Sequence, residues 1–79
     1  MTRLTIQRHG TGIVFHWRLA ISEGVVGFNL YRGTHRLNRH LILVHAIPSY
    51  QFRTPWTGQG AFALHVVLWN GQDLLVPIA

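Results

Sequence analysis

The segment Val25-Val26-Gly27-Phe28-Asn29-Leu30-Tyr31-Arg32 carries the clearest structural signal in the chain. Large apolar side chains recur at every second position within it, and a period of two places them on one face of a β-strand. The segment is therefore predicted to be a strand with one face in a protein core. We expect the core face to hold Val26, Phe28 and Leu30, and the opposite face to hold Val25, Gly27, Asn29 and Tyr31.

Six other segments are predicted to be strands, because they are apolar or alternate between apolar and polar residues and end at turn residues. They are residues 4–6, 13–19, 41–47, 50–54, 62–69 and 74–78. The turns fall at residues 9–12, 22–24, 58–60 and at Asn70-Gly71, a strong hairpin signal. The sequence thus predicts an all-β, seven-stranded antiparallel sandwich of two sheets. Its core is expected to centre on Trp17, Phe28, Leu30, Leu64 and Val66.

Length and composition limit how such a sandwich is stabilised. The chain has 79 residues, which we assign to a single domain over residues 1–79, and it contains no cysteine. Disulfides and thiolate metal sites are therefore excluded, and stability must come from the apolar core or from a partner. Hydrophobic residues make up 48% of the chain and its mean hydropathy is +0.19. So small a domain has little interior, so we expect part of this apolar surface to form an interface.

Several short motifs resemble those of the fibronectin type III family, in particular its bacterial modules. They are Phe15-His16-Trp17, Gly27-Phe28-Asn29-Leu30-Tyr31-Arg32, Leu37-Asn38 with Leu41-Ile42, Tyr50-Gln51-Phe52, and Phe62-Ala63-Leu64-His65-Val66 ahead of Gly71. The resemblance spans roughly residues 4–78. It implies an immunoglobulin-like β-sandwich with a non-catalytic adhesive or scaffolding role, and it implies no particular ligand.

The chain departs from the family pattern at the start of the predicted sixth strand. The family usually has a tyrosine there, whose hydroxyl group bonds back to the chain. Phe62 occupies this position and lacks the hydroxyl group. The chain is also short for the family.

The charges are strongly unbalanced, because seven arginines and no lysine stand against Glu23 and Asp73, for a net charge of +5. A basic protein favours an acidic protein surface, a nucleic acid or anionic lipid as its partner. Arg32, Arg36 and Arg39 concentrate in the predicted loop 32–40 beside an aromatic residue, Tyr31. Such a loop can hold phosphates and stack on a base, or it can be an ordinary solvated loop.

Residues for catalysis or for metal binding do not form any recognisable set. The two acidic residues both fall in predicted turns, and no serine has a supporting histidine and acid. His35, His40 and His45 are five residues apart, which alternates faces along a strand and prevents convergence. We therefore expect no enzyme activity, no catalytic residue, no cofactor and no metal site.

An apolar outer face is the strongest functional feature of the predicted fold. The third, fourth, sixth and seventh predicted strands should form one sheet in this architecture, with one face turned away from the core. The residues expected on that outer face are Val25, Tyr31, Ile42, Val44, Ala63, Val67 and Trp69, together with Leu75. Tryptophan and tyrosine are enriched in interface hot spots. The sequence thus predicts a structural or accessory module that packs against protein subunits of a larger assembly or against itself.

The alternative function is a nucleic-acid-associated subunit of a ribonucleoprotein that uses the arginine-rich loop 32–40. In the preferred function, Arg32, Arg36 and Arg39 form a basic rim around the apolar face.

The chain carries no visible signal peptide, and its longest apolar runs are too short to span a bilayer. These features fit a cytoplasmic protein, and they equally fit a mature or cut fragment of a surface or secreted protein.

Overall fold

The computed structural model describes residues 4–19, 23–55 and 61–76, and these contain eight β-strands and no helix. The strands are β1 (Leu4–His9), β2 (Gly12–Arg18), β3 (Val25–Arg32), β4 (His35–Arg36), β5 (Ile42–Leu43), β6 (Ser49–Pro55), β7 (Phe62–Leu68) and β8 (Asp73–Val76). The all-β prediction is confirmed. The predicted turn at residues 58–60, residue 22 of another turn, and residues 77–78 of the last predicted strand lie outside the described residues.

The strands form two antiparallel sheets. One sheet has three strands in the order β1-β2-β6, and the other has five, in the order β4-β3-β7-β8 with β5 also paired to β3. The second sheet therefore contains the segments that the sequence grouped together, plus β4, a two-residue strand within the basic loop. We call these the three-stranded and the five-stranded sheet.

The core lies between the two sheets, where each contributes large apolar side chains. Phe15 of β2 meets Phe62 of β7 edge-on, with ring centroids 5.3 Å apart. Trp17 of β2 meets Phe28 of β3 in the same way at 5.4 Å. The residues expected at the core centre are all buried: Trp17, Phe28, Leu30, Leu64 and Val66.

The start of β3 differs from the predicted alternation because the strand contains an irregularity. Val25 pairs with Leu68 while Gly27 pairs with Val67, so Val26 is an extra residue on β3. An extra residue reverses the facing of the side chains that precede it. Val25 is therefore buried in the core rather than exposed on the outer face, and Val26 is only half-buried.

The predicted strand over residues 41–47 shrinks to the two residues of β5. Val44 N–H still donates to the Val26 carbonyl, at 3.1 Å. Beyond it, the Tyr50 hydroxyl group accepts from His45 N–H at 3.1 Å and donates to the His45 carbonyl at 3.2 Å. Because a side chain satisfies both peptide groups of His45, this segment does not need a strand partner there.

Candidate functional site

The outer face of the five-stranded sheet is the face turned away from the core, and its residues follow from the strand register. Tyr31 lies beside Ala63, Asn29 lies beside His65 and then Leu75, and Gly27 lies beside Val67 and then Asp73. Trp69 comes two residues after Val67 and is 81% exposed, while Leu75 is 69% exposed. Tyr31, Ala63, Val67 and Leu75 thus lie on the predicted face, and Trp69 lies exposed in the turn that follows β7.

Two other residues predicted on this face lie elsewhere. Ile42 pairs with Phe28, whose side chain is in the core, and both Ile42 and Val44 pack against the core from the edge. The residue of β5 that shares the outer face is Leu43, which pairs with Gly27 and is 63% exposed. The first four residues of the run 41–47 are all apolar. Alternation therefore could not show which of them face the core and which face outward.

Gly27 explains why β5 can approach β3 at this point. A Cβ atom built on Gly27 would lie 2.5 Å from the Ile42 carbonyl oxygen and 2.9 Å from Leu41 Cγ. Only glycine leaves room for a backbone this close. A glycine inside a strand pattern is the sequence signal from which this close approach could have been predicted.

A polar row crosses the otherwise apolar outer face. The rings of Tyr31 and His65 lie 4.7 Å apart at 50°, and His65 Nδ1 lies 3.6 Å from Asp73 Oδ2. That separation is too long for a hydrogen bond, and Nδ1 is buried without a hydrogen-bond partner in the described part of the chain. The ring of His65 therefore packs between β3 and β8, with Asp73 close enough to form an ion pair when the imidazole is protonated.

The basic loop is built around a buried asparagine, which the sequence indicated only as part of the Leu37-Asn38 motif and without a structural role. Asn38 is 3% exposed, and its Oδ1 accepts from Leu30 N–H at 2.8 Å. Its Nδ2 donates to Asn29 Oδ1 and to the His40 carbonyl, both at 2.9 Å. These bonds fasten the loop to β3 on the outer side of the sheet. The loop is therefore held in place rather than simply solvated.

The three arginines of the predicted rim lie in different surroundings. Arg36 donates from Nε to the Asn38 carbonyl at 3.0 Å and from Nη2 to the Arg39 carbonyl at 3.2 Å. Arg39 is exposed, and Arg32 is half-buried at the end of β3. Together with Tyr31, Arg36 and Arg39 line a shallow open groove of ≈ 540 Å³. Arg36 and Arg39 thus lie beside the outer face, at the β3–β4 side of the sheet. Arg32 pairs with Phe62, which packs against the core, so it lies on the core side of β3 and not on the predicted rim.

Arg36 should contribute to folding more than its neighbour Arg39. Replacing Arg36 with alanine removes both bonds to the loop carbonyls, and we expect the free energy of unfolding to fall by about 1 kcal/mol. The matched change Arg39→Ala should alter it by less than about 0.5 kcal/mol. Urea denaturation of the two variants measures this difference. Equal stabilities would show that the bonds made by Arg36 contribute nothing to the fold.

Comparison with protein-family models, with curated proteins and with solved structures finds no match for this chain. Within residues 4–19, 23–55 and 61–76, no three histidine or acidic side chains come close enough together to hold a metal ion. The same residues contain no helix that is long and apolar enough to cross a membrane.

Proposed function

We propose that this protein is a non-catalytic binding module with a fibronectin type III-like sandwich fold, in which the two-residue β4 adds to the seven strands that the sequence predicts. It acts as a structural or accessory subunit that packs the outer face of its five-stranded sheet against a protein neighbour. The observation that carries the proposal is the exposure of Trp69, Leu75 and Leu43 on or next to one face. Large apolar side chains grouped in this way mark interaction surfaces on soluble proteins.

The polarity of the outer face supports a protein neighbour. Interface cores are depleted in charge and enriched in aromatic side chains, with polar and charged groups at the rim. The outer face has Tyr31 and Trp69 among its apolar residues, and Asp73 is its one acidic side chain among the described residues. Arg36 and Arg39 lie to one side, where acidic groups of the neighbour would meet them.

The alternative, a nucleic-acid-associated subunit, requires the loop arginines to reach phosphates. Two of the donor groups of Arg36 are engaged by carbonyl oxygens of its own loop. Phosphate binding would have to compete with these bonds, so the loop favours a structural role for Arg36. The two functions also differ in salt dependence, because phosphate-driven binding weakens steeply with salt whereas apolar docking does not.

The double variant Val67→Gln with Trp69→Gln tests the proposed function. Neither side chain belongs to the core, so the two substitutions should retain the fold while they remove the apolar contact. We expect the parent chain to elute from native extracts in a complex with a different protein, and the double variant to elute without that protein. Purified on its own, the double variant should also be the more soluble of the two.

Gln51→Ala provides the control, because Gln51 is exposed on β6 of the three-stranded sheet. This variant should elute with the complex as the parent does. If the double variant has a parent-like circular dichroism spectrum and still elutes with the complex, the outer face is not the docking surface.

A further inference from the structure

The free edge of β8 differs from the other sheet edges in the described part of the chain. Edge strands usually carry charges, prolines or irregularities that prevent pairing with another chain. β1 contains Arg8, β4 consists of His35–Arg36, and β6 contains Arg53 and Pro55; β5 has two residues. β8 pairs with β7 alone among the described strands. Within Asp73–Val76 its one charged residue is Asp73, it has no arginine, and the next proline in the sequence is Pro77.

The peptide groups of β8 that face outward follow from the ladder with β7. Leu68 N–H donates to the Gln72 carbonyl at 2.9 Å. Hydrogen-bonded pairs recur at every second position of an antiparallel ladder, so the pair of Val66 and Leu74 is the next one. The N–H and C=O groups of Asp73 and Leu75 therefore point away from β7, towards the free edge.

We propose that β8 pairs with β8 of a second copy of this chain, which joins two five-stranded sheets edge to edge about a two-fold axis. An antiparallel pairing that sets Asp73 opposite Leu75 of the second copy uses every outward N–H and C=O group of both residues. It makes four backbone hydrogen bonds across the axis, since each Asp73 and Leu75 pair exchanges two. The proposal concerns the strand edge and does not depend on what docks on the outer face.

The same register matches side chains as well as backbone groups. It places Leu74 directly opposite Leu74 of the copy, on the core side of the sheet. Leu74 lies beside buried Val66 yet is 51% exposed, so the contact would cover apolar surface that the single chain leaves open. Each Asp73 faces a leucine rather than a second acid, which avoids a like-charge pair.

The distribution of charge makes a second copy an acceptable partner despite the net charge of +5. In the order β4-β3-β7-β8, the residues Arg32, Arg36 and Arg39 lie at the side of the sheet opposite to β8. Joining two copies at β8 therefore puts the two arginine groups at the far ends of the combined sheet. A two-fold arrangement also closes on itself, as most homodimers do.

Single cysteines test this register, because the chain has no cysteine of its own. Leu74→Cys would place two cysteines opposite each other at a non-hydrogen-bonded pair, with Cα atoms about 4.5 Å apart, which a disulfide can bridge. Leu75→Cys is the matched control. Its two copies would lie roughly 8–9 Å apart, too far for a disulfide. Both variants are oxidised mildly at low concentration and compared on denaturing non-reducing gels.

We expect Leu74→Cys to form the covalent dimer at least about tenfold faster than Leu75→Cys, since geometry favours only the first. Equal rates, or a faster Leu75→Cys, would overturn the proposed register.

Sedimentation tests the dimer without cysteines: the parent should be dimeric, and Leu75→Pro should be monomeric. Proline at this position removes an outward N–H group and leaves the ladder with β7 intact, so the melting curve should keep its shape. A parent that stays monomeric at high concentration would overturn the dimer itself.

Discussion

Replacing Trp17 with alanine should lower the free energy of unfolding by about 3–5 kcal/mol, the usual cost of emptying a large buried aromatic site. The indole ring is stacked on Tyr50, with centroids 5.8 Å apart and planes 8° apart, and it meets Phe28 edge-on. Its Nε1 is buried without a hydrogen-bond partner among the described residues, so its contribution is packing. A domain of this length has a total stability of roughly 4–12 kcal/mol, so the variant should be largely unfolded or close to it.

Trp69→Ala is the matched control for this experiment, because it makes the same chemical change at a residue that is 81% exposed. Its free energy of unfolding should differ from the parent by less than about 0.5 kcal/mol. Urea denaturation followed by circular dichroism compares the two. If Trp17→Ala unfolded at the same urea concentration as Trp69→Ala, Trp17 would not be a central core residue.

Replacing Asn38 with alanine should lower the free energy of unfolding by about 2–4 kcal/mol. The change leaves the buried Leu30 N–H group without its acceptor and removes the donor that Asn29 Oδ1 accepts from. Each buried polar group without a partner costs about 1–3 kcal/mol. Asn70→Ala is the control, since its Oδ1 accepts from Gln72 N–H at an exposed turn. That variant should lose about 1 kcal/mol or less.

A double-mutant cycle with Asn29→Ala separates the asparagine pair from the rest of the network. The two single changes share the bond between Asn38 Nδ2 and Asn29 Oδ1, so the double variant should lose less stability than the sum of the two. We expect a coupling energy of about 1 kcal/mol. Strictly additive losses would show that the two side chains do not act together.

The strands could be predicted from the sequence because burial of one sheet face imposes a period of two. This period is clear in β2, β3 and β7, which carry most of the core, and their residues lie on the predicted faces beyond the irregularity. That irregularity itself could not be predicted. Val25 and Val26 are the same residue type, so the pattern gives no indication of where the facing reverses.

The residues of the candidate site were predicted correctly where apolar residues alternate with polar or small ones along the strand. They were predicted wrongly where this alternation is absent. Ala63 and Val67 follow the period of β7. Residues 41–44 are all apolar, so the pattern assigned Ile42 and Val44 to the wrong face. The structural role of Asn38 was missed for a different reason. Its side chain makes two bonds to β3 and a third to the His40 carbonyl of its own loop. An asparagine in a basic loop resembles a solvated turn residue until such contacts are known.

The docking surface on the outer face is tested most directly by photo-crosslinking from within the intact chain. A photo-reactive phenylalanine analogue is placed at Trp69, on the outer face, or at Gln51, on the opposite sheet, and irradiated in the cells that make the protein. We predict a discrete crosslinked protein from position 69 that is absent from position 51 and disappears when Val67→Gln is added. Equal crosslinking from both positions, or from position 51 alone, would contradict the assignment of the outer face as the docking surface.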